Sequence, residues 1–159
     1  MSATSAGILL YHHTGEVIRV LLAHPGGPYF AKRDLGVWTI PKGLLAFDEP
    51  AEQAALREFE EEVGWRPIGQ LAPLGEVKQR SGKLVTGFAL RSNESVDALL
   101  ARFAPGTFTM EWPPKSGRQV EFPEVDRIAF FDLAEAKSRM IAEQVPFLDR
   151  LSEYIASGA

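Results

Sequence analysis

Apolar positions in this chain follow two rhythms. Unbroken apolar runs occupy residues 6–11 (AGILLY) and, with one interruption, 17–23 (VIRVLLA), whereas residues 50–63 show a helical spacing. Short runs bounded by turn residues indicate well-buried strands. These two therefore predict a buried hairpin joined by His12, His13, Thr14, Gly15 and Glu16. A Gly/Pro-rich loop spans residues 24–29, and an extended approach spans 37–40. Beyond Trp65, Pro67 and Gly69 mark a turn before two further strands at 74–78 and 84–90, joined by Arg80-Ser81-Gly82-Lys83. The rhythm then breaks. Residues 91–127 offer only a short helix at 96–103 and an irregular stretch rich in Pro, Gly and charge, which reads as a surface loop able to cover a site. A last strand at 128–131 precedes Asp132, a cap for a helix at 133–140, and a second helix closes residues 146–155. The order predicts an α/β fold, an α/β/α sandwich around a mixed β-sheet, formed as a single domain over residues 1–159.

The helix at 50–63 carries the chemistry. Pro50 suits a first-turn position, Ala51, Ala54, Ala55 and Leu56 favour helical dihedrals, and Gly64 is the stop. At about 100° per residue, Leu56, Phe59 and Val63 share one side and Glu58, Glu61 and Glu62 the opposite one. Like charges at these spacings cost a few tenths of a kcal/mol each, and a bound dication reverses that sign. Hard oxygen donors suit Mg²⁺, with Mn²⁺ as a substitute. A charge run alone usually means no more than a solvated face.

The surrounding spacing removes that bland reading. Within GLLAFDEPAEQAALREFEEEVGW, residues 43–65, Gly43, Glu49, Arg57, Glu58, Glu61, Glu62 and Gly64 stand at fixed intervals, a coincidence on the order of one in a million at ordinary composition. The pattern resembles the Nudix box, G-x5-E-x7-R-E-U-x-E-E-x-G-U, with aromatic Phe59 and Trp65 at positions more often aliphatic. The preceding WTIPKG is similar to the W-x-x-P-K-G lead-in of members that hydrolyse nucleotides and dinucleoside polyphosphates.

This resemblance implies Mg²⁺-dependent hydrolysis of a nucleoside diphosphate linked to another moiety. It implies metal binding by Gly43, Glu58, Glu61 and Glu62, and it makes Glu61, Glu62 and Arg57 catalytic, the arginine by orienting a glutamate. Glu49 has two readings, a charge at the helix entrance or a metal contact. The acceptor for the water proton stays open among Glu62 and the acids of EFPEVD, namely Glu121, Glu124 and Asp126. Lys42 is a candidate phosphate contact, and Lys32, Arg33, Lys78, Lys115 and Arg118 are weaker ones. A nucleobase needs an aromatic platform, for which Trp38, Tyr29 and Trp112 are the candidates. His24 borders the Gly/Pro loop and so the candidate site, while His12 and His13 sit in the expected turn, away from the chemistry.

Composition narrows the partners. A net charge of −4 argues against duplex nucleic acid. There is no cysteine, so thiolate chemistry and disulfides are excluded. The opening residues show neither a basic leader nor a membrane span, so cytoplasmic residence is the expectation; nothing in the pattern sets an oligomeric state. Within the resemblance, small size and the PKG lead-in favour a nucleoside triphosphate or a dinucleoside polyphosphate such as diadenosine tetraphosphate. Tyrosine is absent between Trp65 and Tyr154, and proline between Pro73 and Pro105, so two common specificity markers are missing. The alternatives are a non-catalytic nucleotide sensor or an enzyme for another nucleoside diphosphate conjugate. A sensor has no need of three mutually repelling acids.

Overall fold

The computed structural model describes residues 3–158. In chain order its elements are β1 (Thr4–Thr14), β2 (Val17–Pro25), β3 (Lys42–Leu44), α1 (Ala51–Val63), β4 (Ala72–Lys78), β5 (Leu84–Arg91), α2 (Val96–Ala101), β6 (Thr107–Glu111), β7 (Gln119–Pro123), β8 (Val125–Asp132), α3 (Leu133–Arg139) and α4 (Pro146–Ala156), with a 3₁₀ turn at Ala142–Gln144. The sheet runs β4-β5-β1-β2-β8, with β3 also paired to β1. It is mixed, because β1 and β5 are parallel while the other pairs in it are antiparallel.

Strand β1 explains the unbroken apolar run. Ala6, Ile8 and Leu10 pack toward α1 with Phe59 and Val63, whereas Leu9 and Tyr11 pack toward α4 with Phe147 and Leu151. Both faces are covered, so an alternating pattern has no place there. The helices thus form layers on either side of the sheet, as the sequence pattern predicts. On the α4 side the approach is close, since a side chain at Gly87 would collide with the Phe147 ring.

Two local expectations change. His12 and His13 lie within β1, paired with Arg19 and Ile18, and the turn is only Gly15 and Glu16. Gly15 has φ 61°, a conformation open to glycine, and it closes the connection in two residues. The stretch expected to be irregular holds a hairpin of its own. Strands β6 and β7 pair from Thr107↔Pro123 to Glu111↔Gln119 as a separate two-stranded sheet. The expected caps do form: the Asp132 carboxylate accepts from the Glu135 amide at 2.8 Å, and Gly64 ends α1 at φ 106°.

The loop between β2 and β3 is pinned by polar contacts that start from a buried histidine. His24 is fully buried, and its Nδ1 is hydrogen-bonded with Asp126 Oδ1 at 2.7 Å and its Nε2 with the Arg33 carbonyl at 2.5 Å. Farther along, Asp34 accepts from Trp38 Nε1 and pairs with Arg139 of α3. His24 therefore holds backbone in place and has no ring nitrogen left for a ligand. We expect His24→Ala to lower stability by about 2–3 kcal/mol, the cost of emptying the buried ring's space and of losing its two part-buried hydrogen bonds. Urea unfolding at constant m measures it, and an unchanged midpoint would remove His24 from the frame.

Candidate active site

Helix α1 presents its acids because its other side is spent on the core. Ala54, Ala55, Phe59 and Val63 are buried, with Leu56 half-buried beside them, which leaves Arg57, Glu58, Glu61 and Glu62 facing away from the main cluster. Gly43, on β3, lies against this face. A side chain there would overlap the Glu58 carboxyl group, so only glycine lets the strand and the acid share the space.

Arg57 is the hub of the helix entrance. Its Nε and Nη2 donate to the two oxygens of Glu49 at 3.0 and 2.9 Å, a bidentate pair, and Nη2 also donates to the Leu44 carbonyl at 3.0 Å. Its Nη1 donates to Glu58 at 2.8 Å and to Glu61 at 3.3 Å. The Glu61 contact has the unfavourable helical order, and the main partner is Glu49, eight residues earlier, brought back by a loop in which Asp48 has φ 59°. Glu49 also accepts from the Ala46 amide at 2.9 Å. With these donors around it, and Arg57 foremost, its carboxyl is held down at about 2. Of its two readings, the structure fits the structural one, since both oxygens are engaged with the loop and the arginine.

Beside the hub lies a cavity of about 180 Å³, lined by Thr39, Lys42, Glu62, Pro25 and Glu124 among others. The Lys42 amide donates to Glu62 Oε1 at 3.3 Å. Burial raises the Glu62 carboxyl well above the usual carboxylate range, with the Lys42 charge opposing and Glu58 and Glu124 adding to the rise. Burial likewise lowers the Lys42 amine, while Glu62 and Glu58 support its charge. Glu124 is raised by burial, then by the charges of Glu58 and Glu61. Its place is fixed by backbone: the Glu124 amide donates to the Gly106 carbonyl and the Gly106 amide to the Glu61 carbonyl, both at 2.9 Å. Four acids thus repel one another here, of which Glu62 and Glu124 line the cavity.

By donor type, Glu58, Glu61, Glu62, Glu124 and the Gly43 carbonyl fit a hard divalent cation. Among the described residues no three acids or histidines stand close enough to close on one ion as they are. The reason is visible in Arg57, whose Nη1 lies between Glu58 and Glu61 and serves both as counterion. Glu61, with 52% of its side chain exposed, has room to turn away from it.

Other sequence candidates fall elsewhere. Trp38 is only 2% exposed, packed edge-on to His24 and Phe131, so it supports the core and offers no face to a base. This corrects its reading as a substrate platform. Glu121 is exposed on β7 opposite Thr109 and does not line the cavity, and Asp126 is committed to His24. Tyr29 and Trp112 do come together, with ring centroids 5.2 Å apart at 81°. Lys42 lines the cavity. What sequence reasoning missed was the hairpin that carries Glu124 to α1, although the alternation in TFTME and QVEFP around a Pro/Gly turn was its signal.

The NUDIX domain family model matches residues 1–151. No curated protein matches the chain in sequence. Among solved structures, a C. elegans Ap4A hydrolase binary complex is similar over 98% of both chains at 21% identity and a TM-score of 0.64. The NUDIX domain of Shewanella oneidensis NrtR, complexed with ADP ribose, aligns over 98% of this chain and 89% of its own at 14% identity and 0.67. RenU, a Nudix hydrolase from M. smegmatis, aligns over 97% and 86% at 22% identity and 0.62. At these identities the likeness is one of fold. No helix among the described residues is long and apolar enough to cross a membrane.

Proposed function

We propose that this chain, which belongs to the Nudix family, is a Mg²⁺-dependent pyrophosphohydrolase for a nucleoside triphosphate or a dinucleoside polyphosphate such as diadenosine tetraphosphate. The observation that carries the reading is the convergence of Glu62, Glu124 and Lys42 on one cavity at the foot of the acidic helix. Glu58, Glu61, Glu62 and the Gly43 carbonyl would hold the cation. When bound, Mg²⁺ neutralises phosphate charge and makes water a better nucleophile. Mn²⁺ substitutes for it.

The chain's own groups supply the rest. In the reaction a water oxygen bonds to phosphorus, the bridging P–O bond breaks, and the departing phosphate oxygen keeps the electron pair. The water proton needs a nearby base. Glu124 is the acceptor we favour: the Gly106 contacts fix its backbone beside α1, it lines the cavity with Glu62, and its carboxyl is raised by burial and by the charges of Glu58 and Glu61. Lys42, partly buried in the cavity, meets the phosphate oxygens as a point charge. Arg57 touches no reacting atom and acts as a positioning residue through Glu58 and Glu61.

Products from a panel of nucleoside triphosphates, dinucleoside polyphosphates and nucleotide sugars, with and without Mg²⁺, test the reading. Mg²⁺-dependent release of nucleotide products supports it, and binding without turnover across the panel would make the chain a sensor instead. Arg57→Lys keeps the charge but cannot span Glu49 and Glu58 together. Calorimetry should show Mg²⁺ affinity lower by about 10- to 100-fold in this variant. Equal affinity would reduce Arg57 to a tether for the loop.

A further inference from the structure

The β6–β7 hairpin has chemically different ends. Its root, at Gly106 and Glu124, is bonded to the Glu61 turn of α1. Trp112 follows β6 immediately, and five residues at about 3.3 Å each carry it about 16 Å along the strand from Thr107. The loop after β2 follows the hairpin outward. The Gly26 amide donates to the Glu124 carbonyl at 2.9 Å, and a side chain at Gly26 would run into the Pro123 carbonyl. Gly27, at φ 91°, lies against the Phe108 ring, and Tyr29 then reaches Trp112. Both glycines are needed for this close course.

The outer end is aromatic and cationic. Tyr29 is 61% exposed, so that an amphipathic ring beside the half-buried Trp112 is presented to solvent. Lys32, Lys115 and Arg118 are exposed on the same two segments. Because Tyr29 and Trp112 meet edge to face, no slot separates the rings, and a planar ligand must stack on an outer face.

Resting on the hydrolase reading above, we infer that the Tyr29–Trp112 ledge receives the distal nucleoside of a dinucleoside polyphosphate, whose phosphate chain spans the hairpin from ledge to acids. When the phosphorus attacked at the acids is the nearer nucleoside's own α-phosphate, that nucleoside's base stays within a ribose of them. A base at the ledge therefore belongs to the other end of a longer polyphosphate, with the exposed cations following the chain. Ring faces without a built set of donors and acceptors stack any base, so the ledge selects for a second nucleoside and not for its identity.

Binding without turnover tests this separately from catalysis. With Ca²⁺ in place of Mg²⁺, calorimetry on the full chain compares diadenosine tetraphosphate, diguanosine tetraphosphate, ATP and inorganic tripolyphosphate, with Trp112→Ala, Trp112→Phe and Tyr29→Ala alongside. Both dinucleotides should bind roughly tenfold tighter than ATP or tripolyphosphate, and Trp112→Ala should erase that margin while Trp112→Phe restores most of it. ATP affinity should move less than threefold in every variant. Equal losses for ATP and the dinucleotides, or no loss in Trp112→Ala, would overturn the ledge. A chain that shows the margin but hydrolyses nothing would keep the ledge and sink only the hydrolase reading.

Discussion

Glu61→Gln combined with Glu62→Gln should lower Mg²⁺-dependent turnover by roughly 10⁴-fold or more, because the cation's effect on water acidity is lost with its ligands. The fold should survive. Glu61 is half exposed, and Glu62, though partly buried, becomes a neutral amide of nearly the same shape. Removing the Glu61 charge relieves repulsion in the metal-free chain, and the Glu62 amide replaces a carboxyl that holds its proton up to about 8. Far-UV circular dichroism and a melt in chelator establish that the variant is folded, after which product formation measures the loss. Turnover equal to that of the unaltered chain would place the chemistry elsewhere.

A pH signature accompanies this prediction. Burial pushes Glu62 up to about 8 in the metal-free chain, whereas in the unfolded chain it titrates in the ordinary carboxylate range. Between those values the folded state holds a proton that the unfolded state has released. The stabilising contribution is thus complete below the ordinary range and is lost as pH rises toward 8. Cation binding needs the carboxylate, so Mg²⁺ affinity should climb over the same interval, with protons released on binding. Melts in chelator from pH 5 to 8.5 should show this loss in the unaltered chain, and Glu62→Gln should flatten it.

Glu124→Gln carries the second large effect, a fall in kcat of about 10²- to 10³-fold with KM little changed, as expected when a positioned base is lost. Its carboxyl is raised by burial and by the charges of Glu58 and Glu61. The acid limb of the pH–rate profile should therefore lie above the ordinary carboxylate range and vanish with the substitution. An unaltered kcat would transfer proton acceptance to Glu62. A fall in Mg²⁺ affinity matching the fall in rate would instead make Glu124 a ligand.

The residues explain which parts of this picture could be read without coordinates. Helix α1 was legible because Pro50, the core-facing Phe59 and Val63, and Gly64 are local signals a few residues apart. The same holds for the Asp132 cap and for β1, whose unbroken run records cover on both faces. Trp38 was not legible, since a tryptophan before a phosphate-binding lead-in looks the same whether it faces substrate or His24 and Phe131. Nor was the choice between Glu121 and Glu124. They sit three residues apart, and only the long-range path from Gly26 through Glu124 and Gly106 to Glu61 separates them. The Arg57–Glu49 pair escaped for a similar reason, because helical spacing compares neighbours at three and four residues and this partner is returned by the Asp48 turn.

Dication binding by the acid face of α1 is directly countable with Mn²⁺, because the free ion's paramagnetic resonance signal disappears on binding. Titrated at pH 7.5 in the absence of nucleotide, the unaltered chain should remove that signal in a saturable way, while the folded Glu61→Gln, Glu62→Gln variant should leave nearly all of it. Matching curves for the two proteins would contradict the account.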